Sequence, residues 1–171
     1  LGEFVLSSDS IANSYIHTKK MNHIVDLLTG ERKEAILRPL NTIGQFIIFP
    51  GKQVDRKQTI NQERGINKRI EDRFDLTLEC IRRHYLRIES PLEELLDRYH
   101  DFFALFQDFQ GYVEFFLLQD LVSADYSTVR YLLPFDDSFP LRPLPESPDQ
   151  YNVYIERTIE FVLSRGSRMA V

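Results

Sequence analysis

Ile70-Glu71-Asp72-Arg73-Phe74-Asp75-Leu76-Thr77-Leu78-Glu79-Cys80-Ile81-Arg82-Arg83-His84-Tyr85-Leu86 is the stretch on which the fold turns. Apolar residues recur at Ile70, Phe74, Leu78, Ile81 and Tyr85, in steps of 4, 4, 3 and 4. That spacing keeps one face apolar along the whole stretch and predicts an amphipathic helix from Ile70 to Leu86 at the centre of a helical domain. Asp72, Glu79 and Arg83 fall together on the opposite side. Glu79 and Arg83 form an attractive i,i+4 pair, whereas Asp75 and Glu79 are like charges one turn apart.

Downstream, Ser90-Pro91-Leu92-Glu93 reads as a capping box with Ser at N-cap, Pro at N1 and Glu at N3. Leu92, Leu95, Leu96, Tyr99, Phe102, Phe103 and Phe106 carry that helix inward. A break near Gly111 leads to a second aromatic helix, Tyr112 to Val122, packed back on the first. Aromatic residues are so dense between Phe102 and Phe116 that the core should be thickest there. Arg130 to Phe135 reads as a strand. The proline-rich stretch from Pro134 to Pro148 reads as an ordered loop that buries Phe135, Phe139 and Leu141. Ser147 is the N-cap of a last helix, Pro148 to Arg165, which Gly166 stops.

Upstream, Thr42 to Phe49 is rich in β-branched and aromatic residues and ends at the turn pair Pro50-Gly51, the clearest strand in the chain. Thr59-Ile60-Asn61 reads as a short partner strand, and Gly65 as an interruption before the central helix. Met21 to Leu28 and Glu31 to Leu37 read as short helices, the second ended by Pro39. Glu3 to Leu6 reads as a short strand. Ser7-Ser8-Asp9 offers N-cap side chains for a helix to about Thr18, with Ile11, Tyr15 and Ile16 inward. The expected fold is α+β, mainly helical, with a small antiparallel or mixed sheet at one end.

With 171 residues, 43% hydrophobic and 27% charged, the chain has the composition of one globular domain spanning 1–171. The net charge of −5 excludes a general polyanion binder, so a nucleic-acid surface would have to be a local patch. Cys80 is the one cysteine, which rules out an internal disulfide and favours a reducing, cytoplasmic setting. The most apolar stretch, Phe102 to Val122, is broken by Gln107, Asp108, Gln110, Glu114, Gln119 and Asp120, and reads as packed helices rather than a membrane span. The chain opens on Leu1 and runs at once into Phe4-Val5-Leu6, the start expected of a chain that lacks an N-terminal portion.

One segment stands apart electrostatically. Lys52, Arg56, Lys57, Arg64, Lys68, Arg69 and Arg73 meet Asp55, Glu63, Glu71 and Asp72, a local balance of +3 (seven minus four) in a chain of −5. Lys52, Asn61, Arg64, Arg69 and Arg73 are the candidate ligands for a phosphate group, because free backbone N–H groups and cations meet where a helix begins. The competing reading is a solvated loop with structural ion pairs. His84 and Asp72 are the candidate catalytic groups, as a general base beside basic neighbours and as a half-buried carboxylate beside an arginine. A packed histidine and a structural pair are the alternatives. The chain has no HExxH, CxxC, phosphate-loop, GxGxxG or GxSxG pattern, so no metal or cofactor is implied.

The strings Leu1-Gly2-Glu3-Phe4, Leu6 to Ile11, Ile47 to Gly51, Thr59-Ile60-Asn61 and Asp72 to Arg83 resemble those of an uncharacterised bacterial family of hypothetical proteins. Asp101-Phe102-Phe103, Gly111-Tyr112-Val113 and Leu118 to Leu121 resemble its later blocks. The resemblance covers nearly the whole chain, implies residues before Leu1, and supplies no activity. It implies a second glycine where this chain has Gly44-Gln45, which bears on how closely another backbone approaches there.

Two functions follow as expectations. The first is a bacterial protein or toxin-like enzyme that binds a phosphate-bearing ligand, a nucleotide or RNA, near residues 52–73, with Arg64, Arg69 and Arg73 lining one cleft with Asn61. The alternative is a non-catalytic regulatory protein that binds another protein, or itself as a homo-oligomer, through an exposed patch in the aromatic segment from Tyr99 to Phe116.

Overall fold

The structure is a computed structural model that describes residues 2–11, 19–136 and 138–170. It is an α+β fold, mainly helical, with one small sheet among the described residues. Strands β1 (Leu6–Ser10) and β2 (Phe46–Pro50) pair antiparallel, with Leu6 opposite Pro50, Ser8 opposite Ile48 and Ser10 opposite Phe46. Alternation in Phe46-Ile47-Ile48-Phe49 does the sorting: Ile47 and Phe49 are fully buried while Phe46 and Ile48 face outward.

Helices α1 (Asn22–Val25) and α2 (Gly30–Leu40) precede the sheet's second strand. Thr29 caps α2 by accepting from the Arg32 N–H at 3.2 Å. Helix α3 (Ile60–Ile66) leads through a tight turn to the central α4 (Phe74–Leu86). Three short helices then fold the aromatic segment, α5 (Glu93–Arg98), α6 (His100–Ala104) and α7 (Phe109–Phe115). The long α8 (Pro148–Met169) closes the molecule against α2 and a 3-10 turn, Ile43–Gln45. Its N-cap is Ser147, which accepts from the Gln150 N–H at 3.2 Å.

Several local expectations give way to tertiary context. Ser7-Ser8-Asp9 extends as β1 instead of capping a helix, because its backbone pairs with β2 and the Asp9 carboxylate bonds Arg64; residues 12–18 of the expected helix lie outside the described residues. Thr59 does not begin a strand. Its hydroxyl accepts from the Gln62 N–H while the Gln62 side chain accepts from the Thr59 N–H at 3.0 Å, a capping box that starts α3. Ser90 caps nothing: a turn through Ser90-Pro91-Leu92 delays α5 to Glu93. Arg130 to Phe135 is no strand; among the described residues its neighbourhood has one isolated bridge, Val122 with Val129. Tyr112 to Val122 is split, with α7 ending at Phe115 and a 3-10 turn at Gln119–Leu121. Phe139 is buried as expected, but Leu141 stands 81% exposed.

The central helix is shorter and more deeply buried than its pattern implies. It begins at Phe74, after Glu71 and Asp72 take left-handed φ angles of 49° and 64° that no helix continues through. Every residue from Phe74 to Ile81 is buried, including Glu79 of the expected polar side and its like-charged neighbour Asp75. The aromatic segment packs beside it. Tyr112 lies within 6 Å of Phe103, Phe106 and Phe116 by ring centroids, at 5.8, 5.3 and 4.8 Å.

Candidate functional site

Between β1, α3 and α4 the protein buries a charge cluster. Arg64 is fully buried on α3. Its Nε donates to Thr77 Oγ1 at 2.9 Å and its Nη2 to the Asp72 carbonyl at 3.1 Å. Its Nη1 bonds the Asp9 carboxylate and lies 3.5 Å from Asp72 Oδ1. The rings of Phe49 and Phe74 lie 5.8 and 5.7 Å from the guanidinium carbon. One side chain thus ties β1, the turn before α4 and the body of α4 together, and two carboxylates flank its charge. At the rim, Lys20 pairs with Glu71. Burial lowers the Lys20 ammonium's pKa, and the Asp72 charge opposes that shift.

Arg73 is buried too, but on a different wall. Its Nε donates to Asp75 Oδ1 at 3.0 Å and its Nη2 bonds Asp75 Oδ2. The rest of the guanidinium reaches the carbonyls of Pro143 at 2.7 Å and Leu133 at 3.2 Å. Phe135 and Tyr154 cover its faces. Asp75 also accepts from the Leu76 and Leu132 N–H groups, at 3.0 and 2.8 Å. Arg69 reaches the Phe139 carbonyl, with its Nε at 2.9 Å. These two arginines therefore fasten the proline-rich loop to the start of α4. Glu79, read as exposed, is a buried acceptor for Arg82 and Arg83 at 2.7 and 2.8 Å.

Lys52 and Asn61 lie elsewhere, on an open concavity between the β2–α3 loop and β1 that is also lined by Ser7, Arg56, Thr59 and Gln62. Asn61 Nδ2 donates to Ser7 Oγ at 3.1 Å and to the Ser8 carbonyl at 3.3 Å; its Oδ1 is buried with no partner among the described residues. Among the described residues Lys52 and Arg56 make no ion pair either. Arg64, Arg69 and Arg73 therefore do not share a cleft with Asn61. The residue the sequence did not single out is Arg56. Its signal was the loop opened by Pro50-Gly51, where Asp55 and Arg56 take φ angles of 53° and 58°.

His84 is boxed in near the end of α4. Its Nδ1 is 3.2 Å from Asp97 Oδ1, and the rings of Phe103 and His100 lie 5.3 and 5.9 Å away. Burial pushes the imidazole below its usual range; Asp97 pulls it back up, and Arg87 and His100 lower it further. The unfolded chain then takes up this proton first as pH falls from the ordinary histidine value near 6.5. Stability should be unaffected above that value and drop as pH descends to the lowered one. Urea midpoints measured from neutral to mildly acid pH should fall for the native protein and fall less for His84→Gln; parallel profiles would refute the assignment. Cys80 is fully buried, and burial pushes its thiol up to about 12, which makes it a packing residue rather than a nucleophile.

Among the described residues no three His, Cys, Asp or Glu side chains gather as metal ligands, and no helix is long and apolar enough to cross a membrane. A model of a family of unknown function, DUF6994, matches residues 1–169. No curated protein and no solved structure matches the chain.

Proposed function

The chain belongs to that family, which supplies no activity, and we propose that it binds a phosphate-bearing ligand at the concavity of Lys52, Arg56 and Asn61. The observation that carries this reading is which cations are already bound. Arg64, Arg69 and Arg73 have partners inside the protein, whereas Lys52 and Arg56 have none among the described residues and face the same hollow. Two unpaired cations beside the Gln53 and Gln62 amide groups and the Thr59 hydroxyl suit a phosphate dianion, since charge-assisted bonds are the strong ones. Arg64 acts here as a positioning residue: it fixes β1 and α3, which carry Ser7 and Asn61.

The reading is of binding, with nucleotide and RNA as the ligand classes to compare. Chemistry is not assigned to His84 or Asp72, because Asp97 holds one and Arg64 the other. The reading places the protein in the bacterial cytoplasm, in line with its reduced, buried Cys80. The protein-binding alternative finds little support in the aromatic segment. Of the aromatic residues from Tyr99 to Phe116, Phe115 alone is exposed, at 57%.

Titration calorimetry at low salt should detect inorganic phosphate and guanosine monophosphate. Lys52→Glu with Arg56→Glu should weaken both by at least about tenfold, as expected for loss of charge-assisted bonds. The same pair of substitutions should leave the thermal midpoint almost unchanged, since surface changes cost about 0.5 kcal/mol or less. Equal binding by the variant would sink the proposal.

A further inference from the structure

A separate hollow of about 460 Å³ opens between α8, the 3-10 turn Gln119–Leu121 and the segment 130–132. It shares no lining residue with the Lys52 concavity. Its volume falls within the range of small-molecule sites, about 300–1,000 Å³. Its floor is hydrocarbon: Leu121, Leu132 and Phe161 border it and are 2%, 4% and 3% exposed. Covering such a floor with an apolar group is favourable, because it removes hydrocarbon from water. The walls are held in place. The Arg130 N–H donates to the Leu121 carbonyl at 2.8 Å, and the Leu132 N–H donates to Asp75 Oδ2 at 2.8 Å.

Two exposed arginines line the same hollow, Arg130 from the loop and Arg157 from α8. Neither pairs with a carboxylate among the described residues. Arg157 Nη1 makes one long bond to the Tyr131 carbonyl, at 3.4 Å, and the Arg130 guanidinium makes none among the described residues. Two carboxylates share the hollow and set its charge. Asp120 is taken by Arg168 at 2.7 Å, a pair that leaves no charge over. Glu160 is unpaired among the described residues, so the free charges balance at +1 (two arginines minus one glutamate).

We propose that this hollow is a second ligand site, for a small acid that joins one carboxylate to an apolar body, such as a branched-chain or arylacetic acid. The carboxylate lies between the Arg130 and Arg157 guanidiniums, whose planar forks match it. The apolar body covers Leu121, Leu132 and Phe161. A phosphate monoester suits the hollow less, because its second negative charge exceeds the balance and faces Glu160 and Asp120. The inference is independent of the phosphate reading, since the two sites have no residue in common.

The test is a heteronuclear NMR titration of the full chain with isovalerate, phenylacetate, their amides, phenyl phosphate and inorganic phosphate. The two acids should move backbone amide signals at 120–121, 130–132 and 157–164. Phenylacetate should bind at least about tenfold more tightly than phenylacetamide. Arg130→Gln with Arg157→Gln should erase that preference and leave the response to inorganic phosphate near Lys52 as it was. Arg130→Gln alone, which removes no contact within the protein, should take a severalfold part of it. An amide that binds as tightly as its acid, a preference that survives both glutamines, or acids that move none of these signals would overturn the inference. Tighter binding of phenyl phosphate than of phenylacetate in this hollow would overturn it too. If phenylacetate binds here while no phosphate compound binds near Lys52, the phosphate reading falls and this site stands.

Discussion

Asp75→Ala will cost about 3–5 kcal/mol, the scale for removing one partner of a buried ion pair. The loss has two parts. Arg73 keeps its charge in a fully buried site, with carbonyls but no carboxylate against it. The Leu76 and Leu132 N–H groups lose their acceptor in the same interior. Domains of ordinary size are stable by roughly 5–15 kcal/mol, so this change alone takes a large part of the margin. A urea midpoint far below the native one is the expected reading. Removing both charges with Arg73→Met and Asp75→Asn should cost less than the sum of the two single changes, because neither then leaves an uncompensated ion. A loss near 1 kcal/mol for Asp75→Ala would show that the pair is dispensable.

Gly44→Ala will be about as damaging, whereas Gly166→Ala will not. The two glycines meet where α8 crosses the 3-10 turn. A Cβ on Gly44 would lie 2.0 Å from the Val162 carbonyl oxygen and 2.7 Å from the Gly166 nitrogen, both backbone atoms of α8 that cannot turn aside. Sliding the turn away is no escape. Arg165 donates to the Gly44 and Phe46 carbonyls at 2.6 and 2.7 Å, and it is a buried cation with no carboxylate partner among the described residues. Its guanidinium already feels that burial, which lowers it to about 10. Overpacking typically costs about 1–3 kcal/mol and occasionally more, and a clash with fixed backbone belongs at the top of that range. A Cβ on Gly166 would meet Gly44 at 3.5 and 3.6 Å, ordinary contact, while helix propensity improves by roughly 1 kcal/mol. Thermal unfolding of the two variants should move in opposite directions; a fall for Gly166→Ala as large as that for Gly44→Ala would contradict this packing. The glycine expected beside Gly44 is therefore not needed for close approach: Gln45 occupies that position and the approach is made at Gly44 alone.

Much was legible where a signal is local and strong. The apolar steps from Phe74 to Tyr85 place α4, the alternation in Phe46 to Phe49 sorts one face of β2, and Ser147-Pro148 starts α8. Each rests on a period or a cap written into a few consecutive residues. Gly166 misled because a glycine in a helix usually marks its end; here it stays helical, and the contact with Gly44 explains its small size. Ser7-Ser8-Asp9 misled because the same residues that cap helices also pair in strands when a partner such as β2 is available.

The candidate site divides along the same line. The sequence by itself determined that residues 52–73 concentrate positive charge and that Ile70 to Tyr85 supplies the core face. It could not say which cations remain unpaired, because that depends on where distant carboxylates and carbonyls end up. Tertiary structure decided it by bringing Asp9 to Arg64 across 55 residues and Phe139 to Arg69 across 70. Those contacts draw the two arginines into structural work and leave Lys52 and Arg56 lining an open hollow, a division that comes from long-range pairing of buried charge and not from any local pattern.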